Sequence, residues 1–351
     1  MNIAIPYRLS HERRYWLLFA GLLLVVLALF MADLLLGSVL LKPVDVLKAL
    51  FADSEPQIET IVLKFRLPRT VTAVIAGVAL SLSGLQMQTL FRNPMASPYV
   101  LGISSGASLG VAFIVLGFSA GISPENIRGL GNWVLVAAAW IGAGSVMILM
   151  MYLSSRLKDV LTVLIIGIML AGGISALVSI MQYFSHETML KAYIIWTMGS
   201  LGNLTSSQLT VLLISVASGV FLTLISVKML NALLLGENYA RTIGLKIRLA
   251  RITILAGTSI LAGAVTAFCG PVGFIGIAVP HIARLIFRTS DHRILVPGVI
   301  LTGSSVMLVS DIISQLPGSD SVLPINSVTA LIGIPVVIWV VINTRKYQTI
   351  F

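Results

Sequence analysis

Residues Lys64–Phe91 read KFRLPRTVTAVIAGVALSLSGLQMQTLF. Three cations, Lys64, Arg66 and Arg69, fall within six positions, and no charge follows until Arg92. The uncharged run Thr70–Phe91 is long enough to cross a bilayer, which takes about 20 apolar residues in a helix. The stretch predicts a membrane-spanning helix with a basic mouth. The side on which that mouth opens decides what the cations do. The rest of the chain agrees. Of 351 residues, 57% are hydrophobic and 10% charged, against about 25% charged in a soluble domain. Mean hydropathy is +1.01. A transmembrane barrel would alternate apolar and polar residues in strands of about ten; the runs here are continuous. The expected fold is all-α and polytopic, one transmembrane domain over residues 1–351.

Nine uncharged runs stand out: Tyr15–Ala32, Thr70–Phe91, Asn93–Pro124, Gly129–Ser155, Val160–Ser185, Ala192–Val227, Ile252–Ala283, Ile294–Ser310 and Ser321–Thr344. The seventh is too long for one span. CGPVGFIG (Cys269–Gly276) interrupts it with the Gly and Pro of a tight reversal. Ten spans result. In the sixth run, WTMGSLGNLTSSQ (Trp196–Gln208) reads as a short surface helix and turn before a span that starts near Leu209. Arg8, Arg13 and Arg14 precede the first run, which has no small-x-small cleavage site. It is read as a retained helix with a cytoplasmic N-terminus, and ten spans bring the C-terminus inside too. Sixteen cations then lie inside and seven outside: Lys42, Lys48, Lys64, Arg66, Arg69, Arg128 and Lys191. That split follows the positive-inside rule, with the opening stretch against it. RTVTAVIAGVALSLSG (Arg69–Gly84) and RITILAGTSILAG (Arg251–Gly263) share a pattern and start on opposite sides. An inverted repeat would do this; so would shared membrane composition.

The net charge of +10 belongs to cytoplasmic loops, not to nucleic-acid binding. One cysteine, Cys269, leaves no intrachain disulfide and no Cys-based metal site. There is no G-x-x-x-x-G-K-[ST], so no P-loop hydrolysis occurs in this chain. His11, His186, His281 and His292 lack metal-ligand spacing. No enzyme, cofactor or metal is expected; His281 reads as a helix-end residue. Gly102, Gly106 and Gly110, with GAGS (Gly142–Ser145) and AGGIS (Ala171–Ser175), point to close helix packing. Asp33 and Asp311 are the only acids in or beside spans, both at external ends. An ion-coupled carrier usually needs ionisable groups near the midplane. That disfavours a secondary transporter, which stays an alternative beside a non-transporting scaffold or channel.

The largest polar cytoplasmic segment is Lys228–Arg251. Within it, LLLGENYARTIGL (Leu233–Leu245) reads as one or two short amphipathic helices. Glu237, Ala240, Arg241 and Gly244 recur at spacings of three and four, on or near one face. The segment is either a membrane-surface helix held by Arg and Lys or a docking site for a separate motor subunit. Its E-x-x-A-x-x-x-G pattern resembles the coupling signature of ABC importer permeases.

Other blocks resemble one family in order. RLPRTVTAVIAGVALSLSGLQMQTLFRNPMASPYVLGISSGASLG (Arg66–Gly110) is similar to the second and third helices of the iron-siderophore, haem and vitamin B12 permeases, the FecCD family of type II ABC importers. WTMGSLGNLT, GENYARTIGL, GPVGFIGIAVPHIARL, DHRILVPG and LPINSVTALIGIPVVIW follow, so the likeness runs from Arg66 to Thr344. The resemblance implies a homodimer in the cytoplasmic membrane, two ATPase subunits below and an external binding protein above. It implies that Arg66 and Arg69 meet acidic residues of the binding protein, with Lys64 incidental. Gln315 stands where the vitamin B12 member carries a third arginine. It implies coupling through Glu237, Ala240, Arg241 and Gly244, and a cytoplasmic gate of Asn93, Pro94 and Met95 closed by Val160 and Leu161. The cargo expected is a ferric siderophore, with vitamin B12 or haem as the alternative.

Overall fold

Apolar runs of this length have no water to satisfy their backbone in a bilayer, so each closes its own hydrogen bonds as a helix. The computed structural model describes residues 5–51, 54–117, 132–157, 159–319 and 321–347, without the side chains of 5–11, 132, 160, 341 and 343–347. Arg128 and Lys158, and the side chains of Arg8, His11, Val160, Arg345 and Lys346, lie outside the described residues. In chain order the helices are α1 (Ile5–Leu35), α2 (Pro43–Phe51), α3 (Pro56–Leu90), α4 (Ile103–Val115), α5 (Asn132–Arg156), α6 (Val160–Tyr183), α7 (Glu187–Thr197), α8 (Ser206–Leu234), α9 (Glu237–Thr242), α10 (Ile247–Cys269), α11 (Ile275–Phe287), α12 (His292–Ser314) and α13 (Ile325–Tyr347). No strand occurs among the described residues. Among the described residues seven helices are long and apolar enough to cross a membrane (α1, α3, α5, α6, α8, α10 and α12); α4 and α11 are shorter apolar helices, and α13 is apolar over Ile325–Val340.

Three boundaries differ from the sequence expectation. The run from Asn93 forms a helix only from Ile103, because Asn93–Ser97 turn and Pro98–Leu101 make a single 3-10 turn; Pro94 and Pro98 each lack a helical donor. The short helix expected at Trp196 lies earlier, as α7. The next span starts at Ser206, three residues before Leu209, where Thr205 and Gln208 form a reciprocal capping box. The third concerns α9: LLLGENYARTIGL contributes one short helix, within the expected one or two, but it starts only at Glu237 because α8 continues through Leu234. The reversal at CGPVGFIG lies where expected, between α10 and α11.

Helices α3 and α10 form the centre. In their most apolar windows 83% and 78% of residues are buried, against 11% in α1. Small residues permit this. A Cβ placed on Gly84 of α3 would lie 1.7 Å from the Gly276 carbonyl oxygen of α11, so backbone meets backbone there. In the α4–α5 contact, a Cβ on Gly106 would lie 2.6 Å from the Gly142 carbonyl oxygen. AGGIS behaves otherwise: Gly172 and Gly173 face open space, on a helix where Ile165, Ile168, Met169 and Leu177 are exposed. One polar knot crosses the centre. Gln86 donates to Thr223 Oγ1 at 2.7 Å and accepts from Thr258 Oγ1 at 3.3 Å, joining α3, α8 and α10.

Overpacking a close contact typically costs about 1–3 kcal/mol. Gly84→Val should therefore lower the thermal unfolding temperature of the detergent-solubilised protein well below that of Gly172→Ala; equal temperatures would contradict the packing.

Candidate functional site

The two ends of the bundle carry separate polar clusters. At the end where α3 begins, Pro68 removes the N–H that would bond the Lys64 carbonyl, and Thr60–Arg66 widens into π-helix just before it. Such widened turns are rare and recur at functional sites. Arg66 is 8% exposed. Its Nη1 donates to the Leu34 and Leu35 carbonyls at 2.7 and 2.9 Å, and its Nη2 to the Val39 carbonyl. The guanidinium thus caps the C-terminus of α1, where a cation is favoured.

Arg69 grips Asp311 of α12 with Nε and Nη2, the shortest contact being 2.8 Å. Asp311 is fully enclosed, while the Arg69 side chain is 19% exposed. Gln315 Nε2 bridges two carboxylates, donating to Asp33 at 2.9 Å and Asp311 at 3.1 Å. Thr70 completes the set with a 2.6 Å bond to Asp33. Two guanidiniums and two carboxylates balance inside the protein. The sequence reading treated Arg66 and Arg69 as free for an external partner; in the structure both have internal partners. Lys64, set aside as incidental, is the exposed cation of the three.

At the opposite end lies the segment expected to couple to a motor subunit. Glu237 opens α9 and receives Arg251 of α10, at 2.9 Å from Nε and 2.7 Å from Nη2. Arg251 Nη1 reaches the Leu157 carbonyl at 3.0 Å and the Ser154 carbonyl at 3.4 Å, at the end of α5. Ala240 is buried, whereas Arg241, Tyr239 and Ile243 are exposed. Gly244 has φ +87°. The Leu245 amide closes back on the Ala240 carbonyl at 2.9 Å and the Gly244 amide on Arg241 at 3.0 Å, a Schellman end that needs the left-handed residue.

The residues expected to form the gate sit beside this segment. Asn93 Oδ1 accepts from the Met95 amide at 2.9 Å, folding the loop. The Pro94 carbonyl pairs with His281 Nε2 at 2.9 Å; His281 lies in the middle of α11 and not at a helix end as expected, and it fastens that loop to the helix. Asp159 caps α6 through the Leu161 and Thr162 amides and the Thr162 hydroxyl. These bonds, the hydroxyl's foremost, hold its carboxyl below the ordinary value. A cleft of about 610 Å³ brings Asp159 and Leu161 together with Arg92, Glu237 and Tyr239; Asn93, Pro94 and Met95 are not in its lining.

Sequence reasoning missed the roles of four residues here. Arg251 was recorded only as a cytoplasmic cation, although a cation in the early turns of an apolar helix opposes the helix dipole and calls for an anion. Asn231 and His292 join α8 to α12 through a 2.8 Å contact, and Thr89 of α3 pairs with His292 Nε2 at 2.8 Å. No spacing pattern announces that link, because its members are far apart in the chain.

Ionisable groups gathered at two ends, with apolar and small residues between, mark a polytopic helical membrane protein. The chain belongs to the FecCD transport family, whose profile matches residues 23–343, and is the permease subunit of a type II ABC importer. The match opens well before Arg66, from which the motifs run. The vitamin B12 import system permease protein BtuC of Escherichia coli O9:H4 (strain HS) is 36% identical over 292 residues, covering 83% of this chain and 86% of that protein. The protein of that name from Klebsiella pneumoniae subsp. pneumoniae is 35% identical over 344 residues, 98% of each. A solved metal-chelate type ABC transporter in an inward-facing conformation superposes with TM-score 0.80 at 27% identity, covering 93% of this chain and 98% of that one.

Removing one partner of a buried ion pair leaves the other uncompensated, typically at a cost of about 3–5 kcal/mol. Asp311→Ala should reach the lower part of that range, since Arg69 is partly exposed. Chemical unfolding in mild detergent reads this directly, and an unmoved midpoint would contradict the outer cluster as drawn.

Proposed function

We propose that this permease imports a metal chelate, a ferric siderophore in the first reading, across the cytoplasmic membrane. A binding protein delivers the cargo and two ATPase subunits drive the cycle. The observation that carries this is the geometry of α9. A six-residue helix ending in a glycine turn presents Arg241, Tyr239 and Ile243 outward while Ala240 and the Glu237–Arg251 pair fix its base. An exposed mixed surface on a braced base suits a protein partner that pushes. In this reading Glu237–Leu245 receives the ATPase. The loop Asn93–Met95 and the start of α6 at Val160 and Leu161 form the gate. A second copy covers the exposed face of α6, which carries Gly172 and Gly173 in open space.

At the outer end, Arg69 is the better candidate for contact with the binding protein, because part of its side chain reaches the surface. Arg66 acts as the brace that holds α1 against α3. Long-range attraction between such a cation and acidic partners weakens with salt.

Vitamin B12 is the second reading, favoured by the two BtuC relatives. Against it, Gln315 occupies the position where the family resemblance implies a third docking arginine, and its amide is already engaged with Asp33 and Asp311. Cells lacking their own importers, supplied with this permease and its partners, should accumulate a radiolabelled ferric siderophore and not labelled cyanocobalamin. The reverse uptake would replace the first reading by the second.

Two substitutions test the surfaces. Arg69→Gln should weaken binding-protein capture by about tenfold at low salt and less at high salt, on samples whose fold is checked by melting. Capture equal to that of the unaltered protein would move docking elsewhere. Gly244→Val cannot keep φ +87° without strain of roughly 1–2 kcal/mol. It should lower uptake per ATP hydrolysed; an unchanged ratio would remove the glycine turn from coupling.

A further inference from the structure

We propose that Arg251 is the positioning residue that links the coupling segment to the gate; the inference rests on the importer reading above. Groups from two different elements bond its guanidinium. Glu237, the first residue of α9, takes Nε and Nη2. The Leu157 and Ser154 carbonyls at the end of α5 take Nη1. Asp159, which caps the start of α6, is near enough to feel its charge. In the chain only residues 157–159 separate α5 from α6, and Leu161 is the second residue of α6.

A displacement of α9 therefore has a short polar route to the first turn of α6. Glu237 pulls on Arg251, and Arg251 holds the carbonyl end from which the gate segment departs. The residue is 3% exposed, so water does not screen the contact as it would at the surface. Bidentate guanidinium–carboxylate geometry resists rotation, which suits transmission of a direction as well as a force. The cleft between α9 and Leu161 leaves room for the two to approach.

The test uses the assembled complex in proteoliposomes, with a spin label at Leu161→Cys on a Cys269→Ala background. Without the Arg251 change, ATP should alter the label's mobility and drive uptake. Arg251→Gln should abolish the mobility change and reduce uptake per ATP hydrolysed by about tenfold or more. Arg251→Lys keeps the charge but cannot hold the carboxylate and the α5 carbonyls together, and should fall between. A label that responds to ATP in Arg251→Gln as it does with Arg251 present would overturn the link, whatever the melting temperature. Reduced uptake with that response intact would mark a structural role alone and overturn it equally. A complex with Arg251 intact that neither responds to ATP nor takes up either chelate would overturn the importer reading itself.

Discussion

An arginine at the edge of a hydrocarbon layer is tolerated when a carboxylate or a row of carbonyls meets it. This chain meets that constraint at both ends of its buried centre. Arg69, near the start of the enclosed part of α3, clamps Asp311, and Arg251, early in α10, clamps Glu237. Arg66 and Arg251 also each hold the carbonyl end of another helix. The central pair α3 and α10 is thus fastened to its neighbours at opposite ends by the same chemistry. Between the clamps, small residues and the Gln86 knot let backbones close up.

The arrangement separates rigidity from motion. The cluster at the start of α3 ties α1, α3 and α12 into one unit through Arg66, Arg69, Asp33 and Gln315. The inner cluster joins short elements: α9, the end of α5 and the cap of α6. Elements of that size with exposed surface are the ones able to shift without disturbing a core. Exposed α6, with its open glycines, stands beside them.

Much of this was legible in the sequence. Run length and charge sparsity gave the helical membrane class, and CGPVGFIG marked the reversal between α10 and α11, because Gly and Pro act locally. The boundary at Ser206 was readable too, had the Thr205–Gln208 box been weighed above the apolar run. AGGIS was legible only in part: Ala171 packs beside Gly102 and Ile174 is buried, while Gly172 and Gly173 face away from the rest of the chain, because small residues let helices approach but do not say which face has a neighbour. The partners of Arg66 and Arg69 were not legible. Asp311 lies 242 positions from Arg69, and the helix C-terminus that Arg66 caps carries no side-chain signature. Glu237 stands out by pattern, while its partner Arg251 reads in the sequence as one more cytoplasmic cation. Pattern reading finds surfaces presented to partners more readily than the buried groups that brace them.

The central claim is that α9 is the surface through which a motor acts on this permease, braced from within by Arg251. Cryo-electron microscopy of the complete complex in nanodiscs, with a non-hydrolysable ATP analogue, addresses it most directly. The account predicts α9 seated in a groove of the ATPase, with Tyr239 and Ile243 covered and the Glu237–Arg251 pair intact. An ATPase bound elsewhere, with α9 left facing solvent, would contradict it.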